Sequence, residues 1–146
     1  MEERRAGHRG VPHTADLRVE AWAPTREECL AEAVRGVVEA FVDVTGVVDG
    51  DAGGGGQPWE TVVRADDDED LLTGLMDELV YRLDTAGEVP LDVRAEAVPG
   101  GVRAVWRTAD VGALPLVGAV PKAVTLHGLA FGPGPDGWRC SVTLDV

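Results

Sequence analysis

The sequence predicts an α+β fold with two layers, in which two amphipathic helices pack on one face of a largely antiparallel β-sheet. Several segments alternate apolar and polar residues, which is typical of half-buried strands. Two longer segments instead repeat apolar residues at intervals of three and four, as helices do. The predicted order is strand, helix, strand, helix and then four strands, and 146 residues with 45% hydrophobic content suit one domain over residues 1–146.

The first strand and the first helix follow one another closely. Residues 1–10 are charged and contain glycine, and we expect them to be mobile. Residues 16–23 form the first strand, with one apolar face made of Leu17, Val19, Ala21 and Ala23. Thr25 and Glu28 then make a capping box, which predicts a helix over 26–42.

The middle of the chain contains a glycine-rich loop and an acidic run. Residues 46–58 lack periodicity and the Lys-Ser/Thr ending of a phosphate-binding loop, so they are predicted to be a flexible connection before a strand at 59–65. The acidic run 66–70 can be interpreted as the start of a helix or as a calcium loop. The spaced ligands and terminal Glu of an EF-hand are missing, which favours the helix start.

The second half of the chain is predicted to contain one helix and two hairpins. The helix covers residues 69–86, and Gly87 is suited to end it. The first hairpin joins residues 89–98 and 102–107. The loop 108–121 is longer than most connections, and such loops are often functional or mobile. The last hairpin joins residues 122–131 and 138–146.

Composition excludes several classes of function. The net charge of −13 argues against a surface that binds RNA or DNA by neutralising phosphates, so we expect no strong direct nucleic-acid binding. Cys29 and Cys140 have no metal-site or redox spacing and are predicted to be reduced core thiols. No apolar run is long enough to span a membrane, and no signal-peptide region follows the charged start, so a cytoplasmic protein without membrane contact is expected.

The last strand suggests where chemistry could occur, since common catalytic motifs are absent. It runs to the final residue, and Asp145 and the α-carboxylate of Val146 lie at its end. If the strands 16–23 and 138–146 are antiparallel neighbours, Asp16 lies beside Asp145. Two carboxylates with a further oxygen suit calcium or magnesium, although a solvent-exposed strand end is the alternative.

Four short motifs, taken together, resemble the archease family. They occur in order from His13 onward, and each is weak alone. The motifs are His13-Thr14-Ala15-Asp16, the segment from Asp70-Leu71-Leu72 to Asp77-Glu78-Leu79-Val80-Tyr81, Lys122-Ala123-Val124-Thr125-Leu126-His127, and Leu144-Asp145-Val146. The sequence departs from the family pattern at Pro121, just before the lysine, and at Leu126, just before the histidine of the same motif.

The resemblance implies a small acidic protein that is not an enzyme and that activates an RtcB-type tRNA-splicing RNA ligase. In that family the activator promotes guanylylation of the ligase and its multiple turnover. The resemblance also implies a divalent metal site, most simply for calcium, at Asp16, Asp145 and Val146. Lys122 becomes a candidate for contacting phosphate or the ligase, and His13 and His127 are further functional candidates.

Two other classes of function stay open from the residues alone. The same carboxylates could serve a stand-alone metal-dependent hydrolase, although no general base is evident near them. The protein could also be a metal-free, chaperone-like adaptor for proteins that process nucleic acids. Solvated or purely structural roles are the alternatives for Lys122, His13 and His127.

Overall fold

The computed structural model describes residues 6–11, 16–45 and 58–146, and these residues form two antiparallel sheets and two helices. The four-stranded sheet has the order β1-β2-β7-β6, and the three-stranded sheet has the order β3-β5-β4. The strands are β1 (Gly7–Val11), β2 (Asp16–Ala23), β3 (Trp59–Arg64), β4 (Glu88–Val98), β5 (Gly101–Asp110), β6 (Ala123–Gly134) and β7 (Gly137–Asp145). The helices are α1 (Arg26–Phe41) and α2 (Asp68–Ala86).

The α+β class is therefore confirmed, but the strands are divided between two sheets rather than joined in one. The strands β3 and β4 both pair with β5, and β6 pairs with β7. Each helix contacts strands of both sheets. Alternation identifies a strand and its buried face but not its partner, which is why the sequence did not predict this division.

Both helices begin and end as their sequences predict. Thr25 Oγ1 accepts a hydrogen bond from the Glu28 backbone N–H, and Asp67 accepts one from the Asp70 N–H. The acidic run thus starts α2, in agreement with the helix interpretation. Gly87 ends α2 in the left-handed conformation with φ of 65°, which a residue without a side chain adopts at little cost.

The N-terminal segment corrects one prediction, because residues 7–10 are part of a strand rather than mobile. Strand β1 pairs antiparallel with β2. The imidazole of His8 lies 3.0 Å from Glu32 Oε1 and 2.7 Å from Glu39 Oε1, and both glutamates belong to α1. These tertiary contacts hold a segment whose composition alone predicts little structure. The predicted glycine-rich loop lies almost wholly outside the described residues.

Two polar residues of β7, which alternation predicts to face solvent, are buried. Ser141 and Thr143 are 8% and 2% exposed. The strand lies between β2 and β6, and Arg18 Nε donates a hydrogen bond to Ser141 Oγ. A bulge in β6 between Thr125 and Ala130 adds residues opposite this part of β7. The end of β7 is therefore held on both sides by other strands.

Candidate functional site

The two aspartates that the sequence singled out lie directly opposite one another. Strands β2 and β7 pair antiparallel, and Asp16 is the register partner of Asp145. Side chains at opposed positions on neighbouring strands start about 4.5–5.5 Å apart at Cβ. Asp16 is half-buried and Asp145 is exposed. The prediction that these two residues meet at one end of the sheet is therefore confirmed.

Lys122 and Val146 lie at the same end of the sheet. The Lys122 backbone N–H donates a hydrogen bond of 2.8 Å to the Asp145 carbonyl oxygen, and Ala123 pairs with Asp145. The Lys122 side chain is exposed. Pro121 is buried, and the Lys122 hydrogen bond next to it is made despite the departure at this position.

One of the two histidine candidates, His127, is not brought into this group. His127 lies in the β6 bulge, where its backbone N–H donates to Thr125 Oγ1 at 2.8 Å. Its side chain is exposed, and its ring makes no hydrogen bond to any residue that the structure describes. His13 lies outside the described residues. The sequence argument for Asp16, Asp145, Lys122 and Val146 thus has geometric support that the argument for His127 lacks.

The chemistry of this strand end fits a hard cation. The donors are two carboxylates and the backbone oxygens of Val146, and Ca²⁺ prefers such oxygen ligands. Within residues 6–11, 16–45 and 58–146, no group of three or more His, Cys, Asp or Glu side chains is arranged to hold a metal. Among those described residues the side-chain donors at this site number two, and a calcium ion, which takes six to eight oxygens, would need further oxygen ligands.

A cleft of about 800 Å³ adjoins the strand end. One wall is the outer face of α2, and the other is the segment between β5 and β6, including a short 3₁₀ turn (Val111–Ala113). Lys122 and Ala123 line the cleft, and Ala123 is the register partner of Asp145. Burial raises the pKa of Asp77, which lies on the α2 wall.

Apart from Lys122, the residues that line this cleft have no function predicted from the sequence. The loop 108–121 was identified as longer than most connections, and the motif from Asp77 to Tyr81 contributed to the family resemblance. Neither observation indicated that the two segments face each other across a cleft. That arrangement depends on how the loop returns to α1, which periodicity does not reveal.

The fold and the strand-end residues define a class of small acidic α+β proteins with a carboxylate pair where three strands meet. The chain matches the Archease protein family (MTH1598/TM1083) over residues 8–146, and it belongs to that family. The resemblance drawn from the four motifs is therefore confirmed.

Relatives and solved structures agree with this assignment. The chain is 50% identical over 144 residues to the probable protein archease of Mycobacterium tuberculosis, covering 97% of this chain and 75% of that protein. It is 28% identical to the protein archease of Methanosarcina barkeri, covering 93% of each chain.

Two solved structures share the fold. The solution structure of Methanobacterium thermoautotrophicum protein 1598 matches with a TM-score of 0.71 at 20% identity, covering 96% of this chain and 99% of that one. The crystal structure of a Thermotoga maritima archease, described as a possible chaperone, matches with a TM-score of 0.64 at 22% identity, covering 93% and 94%. None of the helices in the described residues is both long and apolar enough to cross a membrane.

Proposed function

We propose that this protein is a non-enzymatic activator of an RtcB-type tRNA-splicing RNA ligase, and that it acts through a divalent metal site at Asp16, Asp145 and Val146. The observation that carries the proposal is the direct opposition of Asp16 and Asp145 in a chain of the archease family. The expected metal is calcium, because its preferred ligands are carboxylate and carbonyl oxygens.

The roles of the residues follow from their positions. The carboxylates of Asp16 and Asp145, with oxygens of Val146, would hold the ion. The bound ion would supply positive charge beside the nucleotide site of the ligase, where it can stabilise phosphate charge. The Lys122 backbone N–H holds the Asp145 backbone by a hydrogen bond. The ammonium group of the Lys122 side chain is exposed and is available to contact phosphate or the ligase. His13 and His127 remain candidates for partner contacts.

An accessory role suits the charge of the protein better than a catalytic one. With a net charge of −13, the surface repels RNA, so the ligase rather than this protein would bind the substrate. A stand-alone hydrolase would need a general base close to the carboxylates. The ring of His127 makes no hydrogen bond to Asp16 or Asp145, so the structure gives no support to His127 as that base. An accessory protein that promotes ligase guanylylation is therefore the function we propose.

The experiment is a guanylylation assay on the cognate ligase, with GTP and calcium, in the presence of the wild type or of Asp16→Ala and Asp145→Ala variants. The expected result is a loss of stimulation by both variants. Asp66→Ala is a matched control, because Asp66 is an exposed aspartate near the start of α2. It should stimulate as the wild type does.

The possible outcomes separate the candidate functions. Full stimulation by Asp16→Ala and Asp145→Ala would refute the metal site. If chelation of calcium leaves ligase binding and stimulation intact, a metal-free adaptor is the better description. Turnover of phosphoester substrates by the isolated protein with added metal, lost in both variants, would instead favour the hydrolase.

A further inference from the structure

We infer that the cleft between α2 and the segment before β6 is a docking site for a segment of the partner ligase that presents an apolar side chain beside a basic one. The inference rests on the proposed function, since the ligase is the partner, and it adds the surface and the chemistry of docking. Apolar walls, a fixed shape, an acidic rim and a lining residue paired with Asp145 support it.

The walls of the cleft are apolar and open to solvent. Tyr81, Leu116 and Val120 line it and are 62%, 59% and 38% exposed. Val117, next to this wall, is 61% exposed. Large apolar side chains that cluster at the surface of a protein mark interaction sites more often than isolated ones do.

The loop wall of the cleft is held in place by backbone hydrogen bonds. Asp43 N–H donates to the Pro115 carbonyl at 2.9 Å, and Val117 N–H donates to the Phe41 carbonyl at 2.9 Å. Gly118 lies so close to α1 that a Cβ there would be 2.3 Å from the Ala40 carbonyl oxygen. A cleft with a fixed wall needs little ordering when a partner binds, which favours affinity.

The rim of the cleft carries unpaired negative charge on α2. Asp77 and Asp84 both line it and are exposed, and neither forms an ion pair within the part of the chain that the structure describes. Burial raises the pKa of Asp77, so a cation brought next to it would be favourable. A partner segment with Lys or Arg beside its apolar anchor complements this rim, whereas an RNA phosphate would be repelled.

The cleft lies next to the proposed metal site. Lys122 lines its end, and the Lys122 N–H is bonded to the Asp145 carbonyl. A ligase segment bound between Tyr81 and Leu116 therefore extends toward the carboxylate pair. Docking in the cleft would set the distance between the bound ion and the ligase, which explains why the two features lie side by side.

The test measures the binding of fluorescently labelled protein to the purified ligase and the stimulation of guanylylation at rising activator concentration. Tyr81→Ala and Leu116→Ser should each weaken binding roughly tenfold, as for contacts at the centre of an interface, with maximal stimulation retained at saturation. Val62→Ser is the matched control, since Val62 is 43% exposed on β3, away from the cleft. It should bind within about twofold of the wild type.

The acidic rim has a separate readout. A variant with Asp77→Asn and Asp84→Asn should bind the ligase more weakly at low salt, and its affinity should fall less steeply as salt rises. The apolar variants should keep the wild-type salt dependence. Circular dichroism will check that each variant is folded, and all five substituted positions are exposed.

Failure of docking in the cleft can be told apart from failure of the proposed function. If the wild type binds and stimulates the ligase but the cleft variants do so equally well, the docking site is wrong and the proposed function stands. If the wild type neither binds nor stimulates the ligase, both are wrong. Concentration-dependent self-association that Leu116→Ser abolishes, or RNA binding that it abolishes, would assign the cleft to a second copy or to RNA and overturn the inference.

Discussion

The contact between His8 and helix α1 predicts that β1 is attached in a pH-dependent way. The His8 ring bonds Glu32 and Glu39, and Arg35 also bonds Glu32, at 2.8 Å. The hydrogen bond to Glu32 raises the pKa of His8, burial opposes this change, and Glu39 adds to it. The hydrogen bond from His8 lowers the pKa of Glu32 against the effect of burial, and Arg35 lowers it further.

The direction of the pH effect follows from these shifts. Because the pKa of His8 is raised on folding, its contribution is complete below the ordinary value of 6.5 and is lost as the pH rises through the raised value. Because the pKa of Glu32 is lowered, its contribution is present above 4.5 and is lost as the pH falls through the lowered value. The pair is therefore most stabilising between these two ordinary values.

The magnitude can be worked from the two hydrogen bonds. A hydrogen bond to a charged group contributes about 1.5–3 kcal/mol when it is shielded from water. The side chains of His8 and Glu32 are 20% and 15% exposed, but Glu39 is 48% exposed, so its bond is largely screened. We expect about 1–2 kcal/mol for the whole contact, or roughly 2–8 °C in Tm.

The assay is urea unfolding of the wild type and of His8→Ala at about pH 5.5 and about pH 8.5. Between the lower and the higher pH, the free energy of unfolding of the wild type should fall by about 1–2 kcal/mol more than that of the variant. The protection factors of the β1 amides, which correct for the intrinsic rise of exchange with pH, should fall in parallel at the higher pH. An equal pH dependence in both proteins would refute the reasoning, because every other titrating group is common to them.

Three further predictions concern the core. Gly36→Ala should destabilise the protein by about 1–3 kcal/mol in urea unfolding, although alanine has the better helix propensity. The reason is that the new Cβ would lie 2.6 Å from Val19 Cγ1. A stabilised variant would contradict this packing. Thr143→Val should raise the free energy of unfolding by up to about 1 kcal/mol, because the buried Oγ1 has no hydrogen-bond partner among the described residues. A lower free energy of unfolding in the variant would show that the hydroxyl makes a stabilising hydrogen bond. Cys29 and Cys140 should react with a thiol reagent only after denaturation, because both are buried. A hydrogen bond with Cys29, together with burial, also raises the pKa of Cys140. Rapid labelling of the native protein would contradict their burial.

Much of the fold could be predicted because its elements have clear periodicity. Strand β2, both helices and their caps follow from the spacing of apolar residues and from Thr25, Asp67 and Gly87. The opposition of Asp16 and Asp145 could also be predicted, because Asp16 is the first residue of β2 and Asp145 is the last residue of β7, and both lie on polar faces. Pairing the first predicted strand with the last was enough to bring the two residues together.

The remainder depends on tertiary contacts that leave no local pattern. Strand β1 looks like a charged tail until the contacts of His8 with α1 are known. Burial of Thr143 follows from the central position of β7 and the bulge in β6. The cleft exists because the segment before β6 returns to α1 through an isolated bridge between Val42 and Leu116, a contact between residues far apart in the sequence.

The claim that Asp16 and Asp145 form a cation site is tested most directly by calorimetric titration of calcium into the purified protein. We expect one site in the wild type, and binding that is lost in Asp16→Asn and in Asp145→Asn but kept in the control Asp66→Asn. Each Asn variant removes one negative charge while keeping the shape of the side chain. Calcium binding that is unchanged in both site variants, or that is absent from the wild type, would contradict the account.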